Sequence, residues 1–327
     1  MKNSFLYFIR GIAAFFVVFI HVRFPGETGE TVKALARFAV PFFFMISGYF
    51  SFGRSNEKIR NNAQKTIKLA LYTMCLYSCW YIIKTFPDGK EITQTITSWF
   101  SFSSIMKLLL FNLPLSETGF FCWFLLAQAY VYFIYMFICK YEKHDLGCII
   151  GLILLLIYIV VERAQYIVFW GYHGYYFINF LFTGFPFFML GNYLARKKER
   201  IMSWNMQHSI FVCLLVVGTL LTIIEKMFIG NKELYISNIL VCLVSFVYAI
   251  KEPRKFEGNL IGEIGKKYGL YIYLFHIIIR DLVNFFVKSI SLGDTWLKWF
   301  IPIIVCIITT IVSMIWYRFS QRFEKTT

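Results

Sequence analysis

Long stretches without a charged side chain set the first constraint on this chain: Thr118–Cys139, Ala164–Ala195, Ile201–Ile224, Leu234–Ile250 and Trp299–Tyr317. A helix needs about 20 mostly apolar residues to cross the hydrocarbon of a bilayer, and several of these runs reach that length. Composition agrees, with 58% hydrophobic and only 16% charged residues, where a soluble globular domain carries about 25% charged. A water-soluble fold of 327 residues cannot hide that much apolar surface.

Apolar runs set against charge breaks predict an all-α integral membrane protein of about ten transmembrane helices. The expected spans are residues 5–23, 36–53, 67–84, 119–139, 146–162, 176–195, 207–226, 234–250, 268–287 and 297–317. With both termini cytoplasmic, most Lys and Arg fall in cytoplasmic loops, above all Arg54–Lys68, as the positive-inside rule requires. The net charge of +15 therefore reports topology and not nucleic acid, because the basic residues lie in short clusters between apolar runs. The apolar segment Trp99–Leu113 is too short to cross and is expected to lie at the outer face as an interfacial or re-entrant helix.

Arg10 interrupts the first apolar run and no small-residue cleavage site follows His21, so the first helix is expected to be retained rather than removed as a leader. No Pro/Gly/Ser-rich linker divides the chain, and residues 1–327 are expected to form a single membrane domain without a soluble appendage. PFFFMISGYF (Pro41–Phe50) and PFFMLGNYL (Pro186–Leu194) echo each other at different spacing, which does not establish a repeat. The eight cysteines lack the spacing of an extracellular disulfide framework and are expected to be reduced core residues. Cys75 and Cys79 share a helix face without His or carboxylate beside them, so no metal is expected.

Polar residues inside spans carry the functional signal. Arg10 and His21 bracket RGIAAFFVVFIH in the first span. Eleven steps of about 100° return to nearly the same helix face, while a rise of about 1.5 Å per residue separates the two by roughly 16 Å. They share a face but cannot meet one atom. An arginine in a span costs at least about 2.5–3.5 kcal/mol on insertion scales, so it should face a protein interior, an anion or an aqueous cavity. The competing reading is that Arg10 snorkels to the cytoplasmic headgroups, and that His21 alone is a hydrogen-bonded interior histidine.

His276, Arg280 and Asp281 form the second polar group within a span, with His276 and Arg280 one turn apart. An Arg280–Asp281 ion pair is the structural reading, since intramembrane charges usually pair. Glu162 and Glu225 fall near the outer ends of spans, where they are expected to be solvated. The segment Phe169–Tyr176 offers rings for sugar stacking, but an interfacial aromatic belt predicts Trp and Tyr there in any case and is the favoured reading.

With these residues in hand, the chain resembles the membrane acyltransferase-3 family, whose hallmark is an Arg and a His separated by ten residues in the first helix. The resemblance continues through Val40–Phe50 (VPFFFMISGYF), Cys122–Tyr130 (CWFLLAQAY), Pro186–Lys197 (PFFMLGNYLARK) and Tyr271–His276 (YIYLFH), in the family's order across nearly the whole chain. Two departures stand out. A basic pair that the family commonly shows as Arg-x-x-Arg before the third span is here Lys65 and Lys68, which keeps the charge but not bidentate phosphate geometry. One branch of the family carries a Glu where this chain has Gln128, so an acid or base role at that position is unsupported. The esterase-like domain fused in some members has no counterpart in these residues.

The resemblance implies transfer of an acyl group, usually acetyl from cytoplasmic acetyl-CoA, to a hydroxyl of a cell-surface or lipid-linked carbohydrate, in the cytoplasmic membrane of a bacterium. Under it, Lys65, Lys68 and Arg10 are expected to bind acyl-CoA, and His21 and Arg10 to be catalytic. Trp123, His276, Arg280 and Asp281 are expected at the acceptor or cavity. Positive-inside charge explains Lys65 and Lys68 equally well. His21 can serve as general base, worth about 10² to 10⁴ in rate, or carry the acyl group covalently, and the sequence does not separate the two.

A multi-pass transporter or flippase of a small polar or lipid-linked substrate is the chief rival, since intramembrane His, Arg and Asp also mark substrate and proton pathways. It would show paired broken helices in two repeat halves, and only the Pro41 and Pro186 echo points that way. A glycan polymerase would call for a large outer loop, and the outer loops here are short. A purely structural membrane protein gives Arg10 and His21 no use.

Overall fold

In the computed structural model, residues 3–86, 92–113, 122–168, 177–289 and 296–324 are described. The described residues are 85% helical and contain no strand. Fifteen α-helices follow in order among these residues: α1 Ser4–His21, α2 Gly26–Ala36, α3 Ala39–Ser51, α4 Asn56–Thr85, α5 Ile92–Trp99, α6 Phe102–Phe111, α7 Trp123–Lys140, α8 His144–Val168, α9 Phe185–Arg196, α10 Lys198–Met202, α11 His208–Ile229, α12 Ile236–Lys251, α13 Leu260–Lys267, α14 Gly269–Ser289 and α15 Ile301–Glu324.

Among the described residues, eight helices are long and apolar enough to cross a membrane, with α2 and α3 counted as one stretch, Gly26–Ser51. Each overlaps one of the expected spans. The other two expected spans, 176–195 and 234–250, coincide with shorter helices: the π turn Phe180–Gly184 running into α9, and α12. At about 1.5 Å per residue, the 16 residues of α12 reach roughly 24 Å, short of the hydrocarbon thickness of about 30 Å. The expected interfacial segment is likewise broken into the end of α5 and the ten-residue α6.

Outward-facing Val212, Val216, Leu220 and Leu221 on α11, with Ile149, Leu152, Ile153 and Leu156 on α8, form apolar faces that water would not tolerate and lipid covers. This is a multi-pass membrane protein. The cysteines are all free, and Cys122 and Cys242 are buried as expected, but Cys75, Cys79 and Cys213 face outward. They are small and weakly polar, and the lipid-facing side of a span accepts them as readily as a core does.

The chain divides into two compact units, one of residues 1–43 with 197–327 and the other of residues 44–196. In the first, α1 is the central element and packs on α13, α14, α2 and α15. Asn3 starts it by accepting from Leu6 N at 2.9 Å, and its amide donates to Ala249 O at 2.8 Å, tying the start of α1 to the end of α12. Between helices in lipid, close packing replaces the hydrophobic effect as the attractive term, and glycine permits it. A Cβ on Gly11 would stand 2.3 Å from Ile261 O, and one on Gly265 would stand 2.2 Å from Tyr7 O. Ala14, Val18, Ile264, Ile272 and Val305 fill the remaining space beside them.

In the second unit, α4 packs on α7 and α8 on α9, around Ile59, Ala63, Val131, Tyr135, Phe188 and Met189. Here the echo between Pro41–Phe50 and Pro186–Leu194 acquires a physical meaning. A Cβ on Gly48 would fall 1.9 Å from Phe188 O, and one on Gly191 would fall 2.0 Å from Met45 O. The later residue of each segment meets the earlier residue of the other, so the two similar segments run antiparallel and each supplies the glycine that admits its partner. Pro186 lacks the N–H that would bond Phe182 O, which leaves room for the π turn just before it. Asn179 caps that turn by accepting from Leu181 N at 2.8 Å and Phe182 N at 3.0 Å.

Candidate active site

The expected site residues divide between the units. Arg10, His21, His276, Arg280 and Asp281 belong to the first, and Lys65, Lys68 and Trp123 to the second.

Within the first unit, the glycine contact of α1 with α13 sets the geometry. α13 ends at Lys267, Tyr268 follows as its cap, and α14 starts at once with Gly269. A Cβ on Gly269 would lie 3.8 Å from both Arg10 Nε and Ala14 Cβ, so Arg10 reaches the junction of α13 and α14. From that junction α14 runs in the same direction as α1. Seven residues on, roughly 10 Å along the axis, it presents His276 to His21 with ring centroids 5.2 Å apart. The two histidines thus come together, while Arg10 stays eleven residues, roughly 16 Å, from His21 along α1.

His276 is fully buried and His21 partly exposed. His276 Nδ1 lies 2.7 Å from Tyr273 O. A carbonyl can only accept, so Nδ1 carries the proton and the basic nitrogen of the neutral ring is Nε2. One turn further along α14, Arg280 binds Asp281 Oδ1 through Nε at 2.9 Å and Nη2 at 2.7 Å. This is the ion pair expected of intramembrane charges, and it places a guanidinium beside the histidine pair without leaving Asp281 uncompensated.

Sequence reasoning missed the charges on α2. Arg37, at the cap of α2, pairs with Glu233, Arg23 pairs with Glu30 at 2.8 Å, and Lys226 pairs with Glu27. Arg37, Lys33 and Arg280 all lie within electrostatic reach of His21. The available signal was the Lys33 and Arg37 spacing of four residues on a helix that begins only five residues after His21. Glu225 is not solvated as expected: its carboxylate caps α12, accepting from Ile236 N and Ser237 N at 3.0 Å and from Ser237 Oγ at 2.6 Å. The orphan amides of a helix start favour an anion there over water.

In the second unit, Lys65 and Lys68 are exposed on one face of α4. Trp123 is packed against Phe44 and Phe124, and only 9% of it is open. Gln128 is buried, and both polar atoms of its amide lack a partner among the described residues. Glu162 is buried too, at 3% exposure, and not solvated, since α8 turns that residue inward. The aromatic segment Phe169–Tyr176 lies outside the described residues. Among the described residues no group of three His, Cys, Asp or Glu stands close enough to hold a metal ion.

No solved structure matches the chain. A stretch of 109 residues is 32% identical to an amino-acid racemase of Enterococcus faecalis, covering 32% of this chain and 15% of that protein. Since the chain spans so small a part of that relative's length, the likeness concerns one segment of it. The model of the acyltransferase-3 family, described as an acyltransferase domain, matches residues 3–318, nearly the entire chain, and the protein belongs to that family.

Proposed function

We propose that this membrane acyltransferase moves an acyl group, acetyl in the first instance, from acyl-CoA on the cytoplasmic side to a hydroxyl of a cell-surface or lipid-linked carbohydrate. The observation that carries the reading is the His21–His276 contact at 5.2 Å beside the Arg280–Asp281 pair. Two imidazoles held together within a membrane protein, one of them with a fixed tautomer, suit removal of a proton from a hydroxyl.

In this reading His21 takes the proton of the acceptor hydroxyl as its oxygen attacks the thioester carbonyl carbon. The carbon–sulfur bond then breaks, coenzyme A leaves as the thiolate, and the proton passes from the imidazole to the sulfur. His276 supports the charge that His21 acquires, and direct transfer needs fewer steps than an acyl-histidine. Arg10, at the junction of α13 and α14, holds the donor, and Lys65 and Lys68 draw in its phosphates as point charges. Ten spans, taken from the apolar runs, with both termini cytoplasmic, taken from the charge bias of the loops, complete the reading, with one functional domain in a bacterial cytoplasmic membrane as the family resemblance implies.

Comparing surface and lipid-linked glycans by mass spectrometry, with and without the gene, tests this reading. An added acyl mass on a sugar that depends on the gene is expected. Unchanged glycans, with an imbalance of a transported solute instead, would favour the transporter.

A further inference from the structure

The end of α1 carries more charge than proton transfer needs. Lys33 and Arg37 stand one turn apart at the end of α2, which packs on α1, and Arg280 stands one turn beyond His276 on α14. Three carboxylates answer these cations and Arg23: Glu30 on Arg23, Glu233 on Arg37 and Asp281 on Arg280. Lys33 is the remaining cation. It is partly buried, feels Arg37 and Arg23 as well as Glu233 and Glu30, and makes no ion pair of its own among the described residues. The cluster around His21 therefore holds one positive charge in excess.

A second, independent observation points to a ligand. Arg37 Nε and Glu30 Oε2 are both buried without a hydrogen-bond partner among the described residues. Glu233 occupies the Nη2 end of the Arg37 fork, and Arg23 occupies the other oxygen of Glu30. An unmatched charged donor and an unmatched carboxylate oxygen are each costly when buried. A molecule offering one anionic oxygen and one hydroxyl satisfies both.

We infer that the acceptor is an anionic sugar, its carboxylate or phosphate seated on Lys33 and Arg37 and a hydroxyl donated to Glu30, which holds a further hydroxyl beside the His21–His276 pair. The inference rests on the acyl-transfer reading and adds the chemical class of the acceptor to it. A neutral sugar could accept from Arg37 Nε but would leave the excess charge unanswered. An acceptor bearing no hydrogen-bond donor would leave Glu30 unanswered.

Calorimetric titration of the detergent-purified full chain, without acyl donor, tests this with three probes: methyl glucoside, methyl glucuronoside and methyl glucoside 6-phosphate. At least one anionic probe is expected to bind about tenfold more tightly than the neutral one, the scale of a single charge-assisted contact. Whichever anion leads identifies carboxylate or phosphate. Lys33→Gln should bring the ratio within about twofold and Lys33→Arg should keep it, with thermal melting to show that both variants fold. Equal binding of all three probes, binding of none, or a ratio untouched by Lys33→Gln would overturn the inference. Because no donor is present, an anionic preference in a protein that transfers no acyl group would sink the acyl-transfer reading alone.

Discussion

His21, in the last turn of α1, and His276, in the second turn of α14, face each other with ring centroids 5.2 Å apart. The contact depends on glycine. Gly11 and Gly265 let α1 and α13 touch along their backbones, and α14 starts two residues after α13 ends, so its course relative to α1 is set before it reaches His276.

His276→Ala is expected to lower acyl transfer at least tenfold through kcat, with KM for the donor unchanged, because His276 lies at the His21 end of α1 and not at the Arg10 end. Steady-state kinetics in nanodiscs reads the split. A loss confined to donor KM, or no loss, would remove His276 from the transfer step.

Asp281→Asn removes a carboxylate bound by Arg280 inside the membrane region, where weakening a buried ion pair costs more than the pair returned. Thermal unfolding in detergent should show a loss of about 1–3 kcal/mol. The double change Arg280→Met with Asp281→Leu should recover most of that stability and none of the activity. If the single variant is as stable as the parent, the pair is not structural.

Gly265→Ala puts a methyl group against the Tyr7 carbonyl, at a distance where backbone must move. Overpacking of this kind costs roughly 1–3 kcal/mol, and displacement of α13 should carry α14 with it. Both melting temperature and transfer rate should fall. Melting without a rate effect would show that α14 keeps its place independently of α13.

Reporter fusions after Lys198 and after Asn231 flank α11 and should report opposite sides of the membrane, the first cytoplasmic. Identical reports would break the span assignment at α11, and with it the orientation drawn from loop charges.

How much of this could be read from the chain alone differs from residue to residue. The Arg10 and His21 face is a property of one helix and needs only helical periodicity. The pairing of Arg280 with Asp281 is local as well, and was expected. The meeting of His21 with His276 depends on tertiary packing through glycines that look ordinary in sequence. Glu225 read as a solvated end residue because its partners, the amides of Ile236 and Ser237, become available only once α12 starts there. The expected span 234–250 coincides with α12, whose 16 helical residues are fewer than those of the eight long apolar helices, because the helix starts only at Ile236 and its cap follows at Glu252. The likeness of Pro41–Phe50 to Pro186–Leu194 was visible, but its cause is mutual packing, which no one-dimensional comparison displays.

Incubating membranes with radiolabelled acetyl-CoA tests whether His21 performs chemistry on an acyl group. Membranes carrying the parent chain should incorporate label into the glycan fraction, and membranes carrying His21→Ala at equal expression should lose that signal by about 10² or more. Full incorporation by a well-expressed His21→Ala protein would remove His21 from the transfer step.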